Sequence, residues 1–270
     1  MAKNKRKETL LKIGIVCLCA FTVLLSVFDF AYTSDETKNL WIGGILQQAC
    51  GTIAVILLFP VLKIRLLSPP KKWLYLIPCI IVAVNNFPFW SYFNGNMHLV
   101  RTQTTDLLLF VFYCLFVGLF EELVFRGVLF SLLAGRFSND KKGLVKTFVL
   151  SSVIFGLAHL LNLIAGAGVG ATLLQVCYTT LTGGLFAFAL IKTKNILCCA
   201  FIHGLYNFCG LIMEFPARGG LGTGVVFDFG TGLTMGVVAL AVGIFVLYSL
   251  WKYSETERVE LYSRLGIANE

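Results

Sequence analysis

The sequence predicts an all-α fold: a polytopic transmembrane helical bundle of about eight spans, with both termini on the cytoplasmic side. Three observations predict it. Of the 270 residues, 57% are hydrophobic and only 13% are charged, about half the charged share that a soluble surface carries. The apolar residues fall in repeated uncharged runs of roughly 17–20 residues or more, long enough to cross hydrocarbon at about 1.5 Å per residue. These runs are apolar on every face, which suits helices and not the alternating strands of a barrel.

The spans lie near Ile13–Phe28, Leu40–Leu62, Trp73–Phe93, Leu107–Leu133, Thr147–Ala165, Ala171–Ile191, Ile196–Met213 and Gly232–Trp251. The first follows a basic segment, as a signal peptide would. Its run is long, however, and no small-x-small site follows at Phe30-Ala31-Tyr32, so it reads as an uncleaved helix. Pro78, Asn85, Asn86 and Pro88 predict a kink in the third. The fourth is about 40 Å long, too long for a simple crossing, so it tilts or continues past the membrane. Gly232-x-x-x-Gly236 predicts close helix packing in the eighth. No linker divides residues 1–270, which read as one integral-membrane domain.

Charge sets the orientation. The net charge is +8. With the N-terminus inside, the alternating segments place 18 cations on the cytoplasmic side, among them Lys63, Arg65, Lys71, Lys72, Lys192, Lys194, Arg258 and Arg264. Only Lys38, Arg101 and Arg218 fall outside, the bias expected of cytoplasmic loops. The partner of this basic surface is an anionic lipid bilayer; no nucleic-acid-binding motif is present. The nine cysteines, Cys17 and Cys19 among them, sit in or beside apolar spans without a CxxC, as small buried side chains do. Gly166, Gly168 and Gly170, and Gly220, Gly222 and Gly224, read as flexible outer turns, and His98 as a solvated loop residue.

Inside the spans remain Glu121, Glu122, Arg126, His159 and His203. A charge at the bilayer centre costs a few kcal/mol on the most lenient scale, so such residues point to function. Counting from the nearest inside cation, Glu121, His159 and Asn207 lie about 20 Å deep and His203 about 13 Å. They can meet in one polar layer, reachable from the cytoplasmic side. Glu122 and Arg126 are i,i+4, the spacing of an intrahelical ion pair, which leaves Glu121 to point elsewhere. His203 and Asn207 share that spacing, and so do Phe155 and His159.

Three motifs follow in order, each on its own span. Glu121-Glu122-Leu-Val-Phe-Arg126 fits EExxxR, Phe155-Gly-Leu-Ala-His159 fits FxxxH, and His203-Gly-Leu-Tyr-Asn207 fits HxxxN. Together they resemble the CAAX-protease and bacteriocin-processing (CPBP, or Abi) family of intramembrane glutamic endopeptidases, related to type II CAAX prenyl proteases, over a catalytic core of about 106–211. The resemblance implies hydrolysis of a peptide bond in a membrane-associated or lipidated peptide or protein, with no cofactor. It implies that Glu121 is the general base, that His159 holds and polarises the water, that His203 and Asn207 donate to the oxyanion, and that Glu122 and Arg126 order the site. The form EELVFRG and the compact length favour a bacterial plasma membrane; a eukaryotic chain would sit in the endoplasmic reticulum membrane.

Other readings stand beside this one. Glu121 or Glu122 with His159 and His203 would make a three-ligand zinc site for a metalloprotease. Cys199 and His203 are i,i+4, as a thiol protease would need. A transporter or a non-catalytic membrane regulator would also place ionisable groups in the bilayer.

Overall fold

The computed structural model describes residues 33–95, 97–99, 104–164, 166–212, 222–224 and 229–267. The first predicted span, Cys17 and Cys19, Arg101, Arg218, Gly220 and Met213 lie outside the described residues.

The fold is all-helical apart from one small strand pair. In chain order the helices are α1 (Glu36–Leu58), α2 (Leu76–Asn85), α3 (Phe89–Phe93), α4 (Thr104–Glu122), α5 (Phe130–Arg136), α6 (Lys141–Ala158), α7 (Val169–Thr193), α8 (Ile196–Leu211), α9 (Phe229–Trp251) and α10 (Glu255–Arg264). Five described helices are long and apolar enough to cross a membrane: Lys38–Leu58, Thr104–Arg136, Lys141–Leu163, Val169–Thr193 and Phe229–Trp251. The shorter apolar helices Trp73–Asn85 and Ile196–Leu211 pack among them.

Boundaries follow from caps. Asp140 opens α6 by accepting the Gly143 amide at 2.6 Å, six residues before the predicted start of the fifth span. Asn195 opens α8 in the same way through the Cys198 amide. Between them Lys194, at φ 53°, turns α7 into α8 within three residues. The predicted kink in the third span is a full break: Asn86 and Phe87 leave the helix and Pro88 starts the short α3. The fourth span runs without interruption from Thr104 to Arg136, but Leu123–Leu129 is π-helical. Ser131 donates to the Gly127 carbonyl at 2.6 Å where the ladder returns to α.

The bundle has two distinct ends. The basic end gathers the 63–72 segment, the α5–α6 turn, the 193–195 turn and α10. Here Lys71 N–H bonds the Thr193 carbonyl, Ile196 N–H the Leu66 carbonyl, and Arg65 N–H the Arg264 carbonyl. At the opposite end Lys38 pairs with Asp106 at 3.3 Å, and Ser91 meets Thr231 at 3.2 Å.

Several expectations need correction. Residues after Trp251 are not a plain tail: Ser254 and Glu257 form a capping box that starts α10. Lys192 and Lys194, counted among the cytoplasmic cations, are 3% and 2% exposed, and Lys194 pairs with Glu260 of α10 at 2.9 Å. The Lys192 ammonium donates to the Ser249 carbonyl and lies 4.7 Å from the Tyr75 ring and 5.0 Å from that of Tyr253. Gly222–Gly224 is no free turn but β2, antiparallel to β1 (Met97–Leu99), with His98 opposite Thr223. Gly236 has no described atom within 4 Å of where a Cβ would stand, so it makes no close packing contact.

Candidate active site

Glycines bring the functional helices together. A Cβ on Gly118 of α4 would stand 2.6 Å from the Gly204 nitrogen and 2.8 Å from the Ala200 carbonyl oxygen of α8, so no side chain fits and the backbones touch. One turn past Gly118 is Glu122, and beside Gly204 is His203. The close crossing sets His203 Nδ1 2.9 Å from Glu122 Oε1.

The same oxygen accepts from Arg126 Nη1 at 3.0 Å, while Arg126 Nη2 donates to the Gly183 carbonyl of α7 at 2.8 Å. Both charges are fully buried. Burying an ion pair costs the hydration of two ions; here the Gly183 carbonyl and the face of Phe155, 4.2 Å from the guanidinium, offset part of that. Glu122 Oε2 and Arg126 Nε have no partner among the described residues.

Partners fix the imidazole tautomers. His159 ends α6, and its Nδ1 lies 3.1 Å from the Phe155 carbonyl oxygen. A carbonyl only accepts, so Nδ1 carries the proton and Nε2 presents a lone pair. His203 Nδ1 faces the Glu122 carboxylate, so Nδ1 carries a proton, and Nε2 faces Glu121. Phe186 stacks on the His203 ring at 4.5 Å, and Phe155 meets the rings of His203 and His159 edge-on at 5.7 and 5.3 Å. Aromatic packing thus holds both imidazoles.

Glu121 differs from its neighbour. Its Oε2 is 3.8 Å from His203 Nε2, and its side chain is 26% exposed where that of Glu122 is 0%. One carboxylate is sealed into an ion pair and the next is partly exposed. Asn207 is half-buried one turn beyond His203 on α8. Asn86, at the break after α2, donates to the carbonyl of Tyr206, the residue before Asn207, at 2.9 Å. Gly210 makes room for it, since a Cβ there would stand 2.2 Å from Asn86 Nδ2.

Glu121, Glu122, Arg126 and His203 therefore form one connected group, His159 joins it through Phe155, and Asn207 stands beside it. Among the described residues no three His, Cys, Asp or Glu side chains are grouped to hold a metal ion. Cys199 is buried with its thiol 3.5 Å from the Asn195 carbonyl oxygen. Toward the basic end, Leu185 to Ile196, the end of α7 and the start of α8, are all buried. Near His159, Leu157, Leu161, Leu163 and Ile164 are exposed.

The sequence reading missed Gly118, Gly183, Gly204 and Phe186, and took Asn86 only as part of the kink in the third span. A signal existed for two: Gly118 is four residues before Glu122, and Gly204 follows His203, small residues next to ionisable ones inside apolar spans.

Residues 103–209 match the family model described as Type II CAAX prenyl endopeptidase Rce1-like. The match covers less than half of the chain, which over that stretch is similar to this family. The curated protein CAAX prenyl protease 2 of Saccharomyces cerevisiae is 30% identical over 112 residues, 38% of this chain and 34% of that protein. The chain thus matches about a third of the length of the curated relative. No solved structure matches. The matched segment runs from α4 into α8 and holds all six residues of the site; α1, α9 and α10 lie outside it.

Proposed function

We propose that this multi-pass membrane protein is an intramembrane endopeptidase that hydrolyses a peptide bond in a membrane-associated, lipid-modified peptide or protein, with Glu121 activating the water. The observation that carries the reading is the contrast between adjacent carboxylates: Glu122 is neutralised by Arg126 and buried, while Glu121 is accessible and faces His203. A base must reach water, and its surroundings must be fixed.

In this reading the water lies between Glu121 and His159 Nε2. Glu121 takes its proton as the oxygen attacks the substrate carbonyl, and Asn207 donates to the oxyanion. This reading starts from a neutral His203 with its proton on Nδ1. The imidazole first receives the proton that Glu121 has taken, and the resulting imidazolium then serves the oxyanion or the leaving nitrogen. The products are a carboxylic acid and an amine. The motif form EELVFRG keeps the bacterial plasma membrane as the favoured location.

The test uses the purified chain in liposomes. Because the relative is named for prenylated CAAX substrates, a farnesylated CAAX peptide is the first probe, followed by mass spectrometry. Wild type should cleave it, and Glu121→Ala and Glu121→Gln should not at matched protein amounts. Near wild-type cleavage by Glu121→Gln would overturn the general-base assignment, since an amide cannot take the proton.

A further inference from the structure

Where the chain leaves α1 and where α10 ends, two helix termini border a cleft of about 490 Å³. They stop in the same way. After α1, Ile64 N–H bonds the Phe59 carbonyl and Lys63 takes φ 57°; after α10, Ile267 N–H bonds the Tyr262 carbonyl and Gly266 takes φ 79°. Glycine adopts that left-handed conformation freely, whereas a lysine is strained in it. The junction is built rather than accidental, since Arg65 donates through Nη2 to the Ser263 carbonyl and hydroxyl at 3.3 and 3.2 Å.

Among the described residues the charge at this cleft is uncompensated. Elsewhere on the basic end, Lys71 and Lys194 pair with Glu260, Lys72 with Glu257, and Arg258 with Glu255. Arg264 also reaches Glu260. Among the described residues, no carboxylate pairs with Lys63 or Arg65. The two helix C-termini contribute roughly half a negative charge each, less than the two cations carry, so the cleft stays positive. Ile64 and Ile267 give it an apolar floor, and the exposed Val61 and Leu67 flank it. It lies just past the end of a helix long enough to cross the bilayer, where acyl chains give way to head groups.

We infer that this cleft binds the phosphate of an anionic membrane lipid. The Lys63 ammonium and the free Nη1 and Nε of Arg65 contact the phosphate oxygens, and the acyl chains run along Val61 and Leu67. Basic clefts beside membrane helices suit such head groups. The site is separate from Glu121 and does not depend on the proposed reaction.

The experiment is native mass spectrometry of the full chain in neutral detergent, titrated with phosphatidylglycerol, phosphatidylcholine or inorganic phosphate. Phosphatidylglycerol should bind at least about fivefold tighter than phosphatidylcholine, and Lys63→Gln/Arg65→Gln should lose about fivefold per charge removed. Lys142→Gln, which removes an exposed cation outside the cleft, should leave binding unchanged. Lys63→Gly relieves the backbone strain, so it should keep or raise Tm while weakening lipid binding, which separates binding from folding. Equal binding of the two lipids, or an equal loss in Lys142→Gln, would overturn the proposal. Displacement of the lipid by millimolar inorganic phosphate would assign the site to a soluble anion instead.

Discussion

The Asn86 carboxamide donates to the Tyr206 carbonyl oxygen at 2.9 Å, tying the broken third span to α8 one residue before Asn207. A single neutral hydrogen bond contributes about 0.5–1.5 kcal/mol, enough to hold Asn207 in register without deciding the fold. Asn86→Ala should lower kcat roughly 3–10-fold with KM and protein level little changed. Asn86→Asp should do the same, because a carboxylate cannot donate. Unchanged kcat in both would show that the contact does not position the site.

The Gly118–Gly204 crossing makes a stability prediction with an internal control. Adding one methyl at Gly118 forces two backbones apart, and overpacking of this kind costs about 1–3 kcal/mol. Gly118→Ala should lower Tm in detergent and abolish cleavage, since Glu122 and His203 separate. Gly236→Ala, with open space around it, should change neither. Matching effects in the two variants would refute the crossing.

Arg126 and Asn207 should fail differently. Arg126→Ala strands Glu122 as an unpaired buried acid, a change worth about 3–5 kcal/mol, so the protein level should fall along with activity. Asn207→Ala should fold normally and lose about 10²–10³ in kcat, the usual cost of one oxyanion donor. Thermal scans and turnover on the same preparations separate the two.

The pH dependence of the α10 clasp follows from two carboxylates. Partial burial pushes the Glu257 carboxyl up, but hydrogen bonds from Lys72 and from Ser254 outweigh this and hold it at about 2. Glu260 is raised by burial and lowered further by Lys71 and Lys194, again to about 2. Both values lie below the ordinary 4.5, so their stabilisation is complete above that pH and is lost as pH falls toward 2. The Lys72 ammonium is raised above 10.5 by its bond to Glu257; its share is complete below 10.5 and disappears at higher pH. Hydrogen exchange of residues 255–264 should therefore be slow and flat between about pH 5 and 10, after correction for intrinsic rates, and should accelerate below about 4. Protection lost already at pH 6 would contradict these pairs.

The zinc alternative has its own check. Glu121, His159 and His203 form no grouped donor set, so chelators should leave cleavage intact and elemental analysis should find zinc far below one equivalent. Activity lost to chelation and restored by Zn²⁺ would move the assignment to a metalloprotease.

Hydropathy made the helices legible, because any chain in hydrocarbon must satisfy its backbone within helices. The ionisable residues stood out for the same reason: Glu122 and Arg126 at i,i+4 inside a span could be read as a pair from spacing alone. What spacing could not show was the partner across the bundle. His203 meets Glu122 only because Gly118 and Gly204 remove two side chains, a tertiary fact with a weak local signal. The α10 helix escaped notice because its residues are polar and it is not a span; its capping box, Ser254 to Glu257, was the available clue. Asn86 was read as part of a kink, and its role toward Tyr206 depends on the break at Pro88 that frees it.

The enclosure of Lys192 sets an order on assembly. Orientation is decided while helices insert one at a time, when a lysine at a helix end is still hydrated and acts as a topological signal. In the finished protein that ammonium is enclosed by Tyr75, Tyr253 and the Ser249 carbonyl. Ser249 and Tyr253 are translated well after Lys192, so its enclosure must follow insertion of α9. A cation at the end of α7 thus becomes an interior fastening only once α9 and Tyr253 are in place.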